Sequence, residues 1–290
     1  MDVHLGATHI YALNPALDFA TAQQQATDKR LNVVAGGLGA VFSRPKPEEV
    51  DLTYSETRYE AFWHLVCTVR YVFERKKDFN VAVAGNEVRK VTLLGQEFEV
   101  TAPPAAQGGG GFLQQIGVGG AAHSFAIPGV EYCVDENKQE RFLDAATGQV
   151  LQAAAEYVKK DKSEIVDLTL LTSGENIVVP PQQSASKIAK ALLATMAKQI
   201  QADKILEDTV EINTLDLYFR PIYAFEFTWK TKSKTGIAEF DAATGNMIAG
   251  KVVRGKVEKP ITTAELFDIN PETVTSLVPT TAGNVKLITA

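Results

Sequence analysis

No stretch of this sequence stays apolar for long enough to cross a bilayer. The longest apolar run, "AFWHLVCTVRYVF", is interrupted by His64 and Arg70 and falls well short of the roughly 20 residues a spanning helix needs, so no transmembrane segment is expected. The opening residues, "MDVHLGATHIYALNPALDF", carry an early Asp and no unbroken apolar core, unlike a secretory leader, and a cytoplasmic location is expected. A basic surplus is missing too: the net charge is −6, the wrong sign for a chain that must neutralise phosphates, so no nucleic-acid partner is expected. Cysteine is scarce. Cys67 and Cys133 both sit inside apolar strand patterns, where a buried, reduced thiol is expected and a disulfide between the two is the alternative.

Catalytic signatures are absent as well. There is no Walker loop, zinc cluster, paired-carboxylate motif or Gly-x-Ser-x-Gly elbow around Ser124. None of His4, His9, His64 and His123 shares a face with a cysteine or carboxylate at ligand spacing. His64 and Cys67 invite a reading as a dyad, but residues three apart on a strand point to opposite faces. The phrase "GVGGAA" matches the dinucleotide fingerprint formally, at Gly117, Gly119 and Ala122. Its context fails, because Pro128 and Gly129 follow where a helix should open, so it reads as linker. The expectation is a protein that is not an enzyme, with no catalytic, cofactor-binding or metal-binding residues.

What is present is a globular composition, 45% hydrophobic and 22% charged, in a chain of 290 residues, enough for one large domain or two ordinary ones. Period-2 patterning dominates. Tyr223, Phe225, Phe227 and Trp229 alternate with Ala224, Glu226, Thr228 and Lys230, which places four large rings on one face of a strand. Trp63, Leu65, Cys67, Val69, Tyr71 and Phe73 do the same earlier, with Phe62, Val66 and Val72 adding apolar character to the other face. Compared with itself at an offset of 160 residues, the chain aligns Val50 with Val210, Glu56 with Asp216, Trp63 with Tyr223, and "GNEV" at Gly85 with "GNMI" at Gly245. The register falters near Phe79, where apolar residues change face. Charged turns are expected after each long strand, at "ERKKD" from Glu74 and "KTKSKTG" from Lys230.

The phrase "DAATG" occurs twice, at Asp144 to Gly148 and at Asp241 to Gly245. It reads as turn chemistry: the Asp side chain accepts nearby backbone N–H groups, and Gly supplies the positive φ that closes the turn. A third hairpin is expected from Val130 to Val150, followed by a helix over "LQAAAEYVKKDK". Further helices are expected over "SASKIAKALLATMAKQIQAD", capped by Ser184 or Ser186, over "TTAELFD" with a capping box from Thr262 to Glu265, at "NPETVTSL", and after Asn14 and Pro15. Helices and antiparallel hairpins in blocks predict an α+β fold, in which a helix plus an antiparallel sheet is duplicated. The Gly-rich break at "TAPPAAQGGGGFLQQIGVGGAA" divides the chain into a first half at 1–101, a linker at 102–129 and a second half at 130–290.

Through Tyr223, Phe225, Asp241, Ala242, Thr244 and Gly245, the block at 184–250 resembles PepSY-like modules, which end in a Tyr-rich strand and an Asp-Ala-x-Thr-Gly turn. The resemblance covers about a quarter of the chain. It implies a small ligand-associated or peptidase-associated domain and, as one function, a peptidase-inhibiting or peptide-binding regulator. The first copy departs from the pattern, with "VAVAGN" in place of the turn. The function expected first is a non-catalytic protein-binding or assembly module, with a protein partner or homo-oligomer meeting Tyr218, Tyr223, Phe225 and Trp63. A nucleotide-using enzyme built on the Gly-rich loop is the third reading.

Overall fold

The computed structural model describes residues 1–36, 45–102, 123–172, 175–254, 262–278 and 285–289. In chain order the elements begin with β1 (Asp2–Leu5), β2 (Ile10–Leu13), α1 (Phe19–Ala35), β3 (Val50–Ala82), β4 (Lys90–Leu93), β5 (Gln96–Glu99) and β6 (Ser124–Asp144). There follow α2 (Ala154–Tyr157), β7 (Lys162–Glu164), β8 (Ile177–Val178), α3 (Ala185–Met196) and β9 (Lys204–Trp229). The chain closes with β10 (Lys234–Asp241), β11 (Asn246–Ile248), α4 (Thr263–Leu266) and β12 (Lys286–Thr289).

Among the described residues this is a mostly β protein, 48% strand against 19% helix, which overturns the expected α+β fold of duplicated helix and hairpin units. The sheet is mixed. β9 is its spine, flanked by β10 in antiparallel pairing and by β1 and β2 in parallel. β1 also pairs in parallel with β12, and β3 with β8, while β2 pairs antiparallel with β7. From Leu215 to Phe227 β9 is buried on both faces except at the half-buried Arg220, with Asp216 and Glu226 buried among its apolar residues.

Three local expectations fail for identifiable reasons. The "ERKKD" segment is no turn: β3 runs through it as one strand of 33 residues paired with β6, and Arg75 and Lys77 reach Glu131 across that pair. The expected hairpin from Val130 to Val150 is a single long strand, β6, with only a bridge from Leu143 to Val150 at its end. α1 is capped by Asp18, whose carboxylate accepts from Thr21 N at 2.8 Å, rather than by Asn14. α3 starts after Ser184, and α4 carries the capping box between Thr262 and Glu265.

The described residues form two compact units. One comprises Met1–Val69, Glu136–Lys198 and Thr209–Ala290, the other Arg70–Asp135 and Gln199–Asp208. Each is assembled from separated segments of chain. The expected linker lies mostly outside the described residues, at 103–122, together with its "GVGGAA" phrase.

In the larger unit, α1 lies against β10. Its Ala22, Ala26 and Val34 join Tyr223, Phe225, Phe227, Trp229 and Phe240 in one buried cluster. A helix that precedes the first long strand thus covers the hairpin of the second. Burying that cluster removes several large apolar side chains from water, each worth about 1.5–3 kcal/mol.

Candidate functional site

Tyr218, Tyr223, Phe225 and Trp63 are exposed by only 3, 6, 0 and 0%, which corrects their assignment as partner-facing residues. Tyr223 and Phe225 pack under Phe19, Tyr218 stacks on Phe62, and Trp63 meets Phe267 edge-on and donates from Nε1 to Gln183 O at 2.9 Å. Large rings on an alternating strand read equally as core or as contact surface, and here the core has taken them.

The two "DAATG" turns are stereochemically alike. In the first, Asp144 Oδ1 accepts from Ala146 N, Thr147 N and Thr147 Oγ1, Gly148 N donates to Asp144 O at 2.8 Å, and Gly148 has φ 75°. In the second, Asp241 Oδ1 accepts from Thr244 N, Gly245 N donates to Asp241 O at 2.8 Å, and Gly245 has φ 76°. Ala145 N donates to Ala61 O, and Ala242 N to Pro221 O, both at 2.9 Å. Ala61 and Pro221 stand 160 residues apart, so the offset seen in the sequence is kept here, while the counterpart of Gly245 is Gly148 and not Gly85.

Asp241, unlike Asp144, is 1% exposed and belongs to a buried charge network. At its centre Arg58, wholly buried, donates Nη1 to Glu56 at 2.9 Å, Nε to Glu60 at 3.0 Å and Nη2 to Glu239. Arg220 reaches Glu60 at 2.9 Å and Asp241 at 3.5 Å, and Tyr157 donates its hydroxyl to Asp241. Burial works to raise the Glu60 carboxyl, but the hydrogen bond from Lys251 and the charges of Arg58, Arg220 and Lys251 outweigh it and hold the group at about 2. Burial pushes the Glu239 carboxyl up.

The network also grips an extended segment of the chain. Lys251 N–H donates to Glu239 at 2.6 Å, Lys251 O accepts from Arg58 at 3.0 Å, and Val253 N–H donates to Glu56 at 2.9 Å. The Lys251 and Arg254 side chains pair with Glu60 at 2.9 Å and Glu226 at 2.5 Å. Side chains here take the place of a neighbouring strand. Glu56, Glu60 and Glu239 converge on a guanidinium, so this arrangement is a structural clamp, and among the described residues no group of His, Cys, Asp and Glu is placed to hold a metal ion. The sign of this network in the sequence is "ETRYE", whose alternation puts Glu56, Arg58 and Glu60 on one face of a strand.

Among the described residues, the Cys67 thiol is not poised for nucleophilic attack. Cys67 is buried, and burial pushes its thiol up to about 12; Cys67 and Cys133 are both free. His64 stacks on Phe142 and bonds Glu140 through Nε2 at 2.7 Å. Beside Glu56 a cleft of about 440 Å³ is lined by Tyr54, Ser55, Thr57, Glu175 and Asn176 without a basic residue, a poor match for nucleotide phosphates.

The smaller unit presents a different surface. Within it Val130, Tyr132 and Val134, alternate residues of β6, are 44, 75 and 64% exposed. Among the described strands β6 pairs with β3 alone. Its odd-numbered residues turn their backbone groups to β3: Val83 N–H donates to His123 O at 2.7 Å near one end, and Ala145 N–H to Ala61 O at the other. Its even-numbered residues bond outward: Ser124 exchanges hydrogen bonds with Thr101, Asp144 N–H donates to Gln149 O, and Phe142 O accepts from Leu151. Backbone groups alternate sides along a strand, so those of Val130, Tyr132 and Val134 point to the edge away from β3. Pro128 has the same parity, as expected for a proline whose missing N–H would face outward. On the other face Glu131 is held by Arg75 at 2.9 Å and Lys77 at 2.8 Å.

A scan against protein-family models and searches of curated proteins and of solved structures gave no match to this chain, so the PepSY-like resemblance stands on the turn and strand residues alone. Among the described residues no helix is long and apolar enough to cross a membrane.

Proposed function

We propose that this chain is a non-catalytic protein-binding module that accepts a strand of another polypeptide on the outer edge of β6. One observation carries the reading: Val130, Tyr132 and Val134 aim their backbone donors and acceptors away from β3 and expose large apolar side chains at the same positions. Strand addition uses both features, main-chain hydrogen bonds for affinity and alternate side chains for selection. Exposed apolar strand edges are ordinarily blunted by charge, so an edge left apolar calls for an occupant. The proposed setting is the cytoplasm, where thiols such as the free Cys67 and Cys133 stay reduced.

The test is a panel of fluorescent nonapeptides with alternating apolar residues, titrated into dilute wild-type protein and the Tyr132→Pro variant. Proline removes the outward N–H and leaves the ladder to β3 intact, so peptides are expected to bind the wild type and to lose the variant. Equal binding to both proteins, or to neither, overturns the reading.

A further inference from the structure

We infer that the occupant of the β6 edge is a second copy of this chain, paired antiparallel about a two-fold axis at Tyr132. The inference rests on the edge-binding reading above and adds the identity and register of the partner. Its basis is the symmetry of "VEYCV", from Val130 to Val134, in which valines stand two residues to either side of Tyr132. An isologous contact needs a self-complementary patch, and this run is one. With Tyr132 on the axis, Val130 lies opposite Val134 of the second copy, and Tyr132 opposite its own counterpart. These even-numbered residues turn their backbone groups outward, so each opposed pair exchanges both of its N–H···O bonds. Aromatic and β-branched cross-strand pairs are among those that stabilise sheets.

Charge selects the same register. With Tyr132 on the axis, Glu131 faces Cys133 and Asp135 faces Gly129, so no acid meets another. Moving the axis to Cys133 sets Glu131 against Asp135, and moving it to Glu131 sets that residue against itself, both unfavourable in a directly opposed pair. The charge of Glu131 is further offset by Arg75 and Lys77 on its own chain.

Glu131→Cys tests the register directly, in the full-length chain. It places a thiol opposite Cys133 of the second copy, at a non-hydrogen-bonded pair whose Cα atoms lie about 4.5 Å apart, a spacing a disulfide can span. Three results are expected together: a dimer mass by light scattering for the wild type, a disulfide-linked dimer from Glu131→Cys on mild oxidation that Cys133→Ser abolishes, and a dissociation constant raised about tenfold or more by Tyr132→Lys. Thermal unfolding of each variant confirms that the fold persists. A wild-type monomer at every concentration, with peptides still binding in a Tyr132-dependent way, overturns the second copy and leaves the edge reading standing. A monomer without peptide binding overturns both. A dimer indifferent to Tyr132→Lys, with no cross-link from Glu131→Cys, overturns this site as the contact.

Discussion

Glu60 and Glu239 both contact the guanidinium of Arg58, yet burial and neighbouring charges pull their carboxyls in opposite directions, Glu60 down to about 2 and Glu239 upward. Glu60 has three cationic neighbours, Arg58, Arg220 and Lys251, and its ionised form is the one the fold binds. Because its folded value lies below the ordinary 4.5, its contribution is complete above about pH 4.5 and is lost as the pH falls toward 2. Glu60→Gln should therefore lower stability at pH 7 by on the order of 3 kcal/mol in urea unfolding. The gap to wild type should close on acidification through that window; a gap independent of pH would mean the loss is one of shape rather than charge. The alternation in "ETRYE" was legible in the sequence as one face. Its burial was not, since the partners Arg220, Glu239 and Lys251 come from distant parts of the chain.

The two "DAATG" turns were legible in the sequence because their chemistry is local. Asp144 with Gly148, and Asp241 with Gly245, make their bonds within five residues of chain, whatever surrounds them. An added Cβ at Gly245 would meet only Leu17 Cβ at 3.9 Å, so Gly245→Ala should cost about 1–2 kcal/mol, the price of left-handed backbone alone. Gly236, on β10, is glycine for another reason: a Cβ there would lie 2.5 Å from Val33 O and would push α1 off the sheet. Gly236→Ala should cost more, about 3 kcal/mol or above, by denaturant unfolding. Equal losses at the two positions would show that α1 yields without penalty. Strand lengths were illegible for the converse reason. Whether "ERKKD" turns or continues depends on β6, some fifty residues later, the strand with which β3 pairs.

At the scale of the whole molecule, the chain does not divide into a first and a second half that each own a helix and a sheet. The core cluster around Phe225, Phe227 and Phe240 is completed by Ala22, Ala26 and Val34 of α1, and β9 is flanked by β1 and β2 from the N-terminus. A chain cut to residues 130–290 should accordingly lack a cooperative unfolding transition and near-ultraviolet dichroism, having lost one covering layer and the parallel neighbours of its central strand. A sharp transition in that fragment would restore an independent second half.

By itself the sequence determined the alternation of the strands, the helix start after Ser184, the capping box at Thr262 and the two "DAATG" turns, because each depends on neighbours a few residues away or on simple alternation. Only the tertiary structure decided which faces meet water. Alternation gives two faces without saying which is covered: it left Trp63, Tyr218, Tyr223 and Phe225 as candidates for a partner when the fold buries them, and it gave no sign that Val130, Tyr132 and Val134 would stand exposed along β6. Burial is a property of what packs on a strand, and here those layers come from parts of the chain that no local pattern connects.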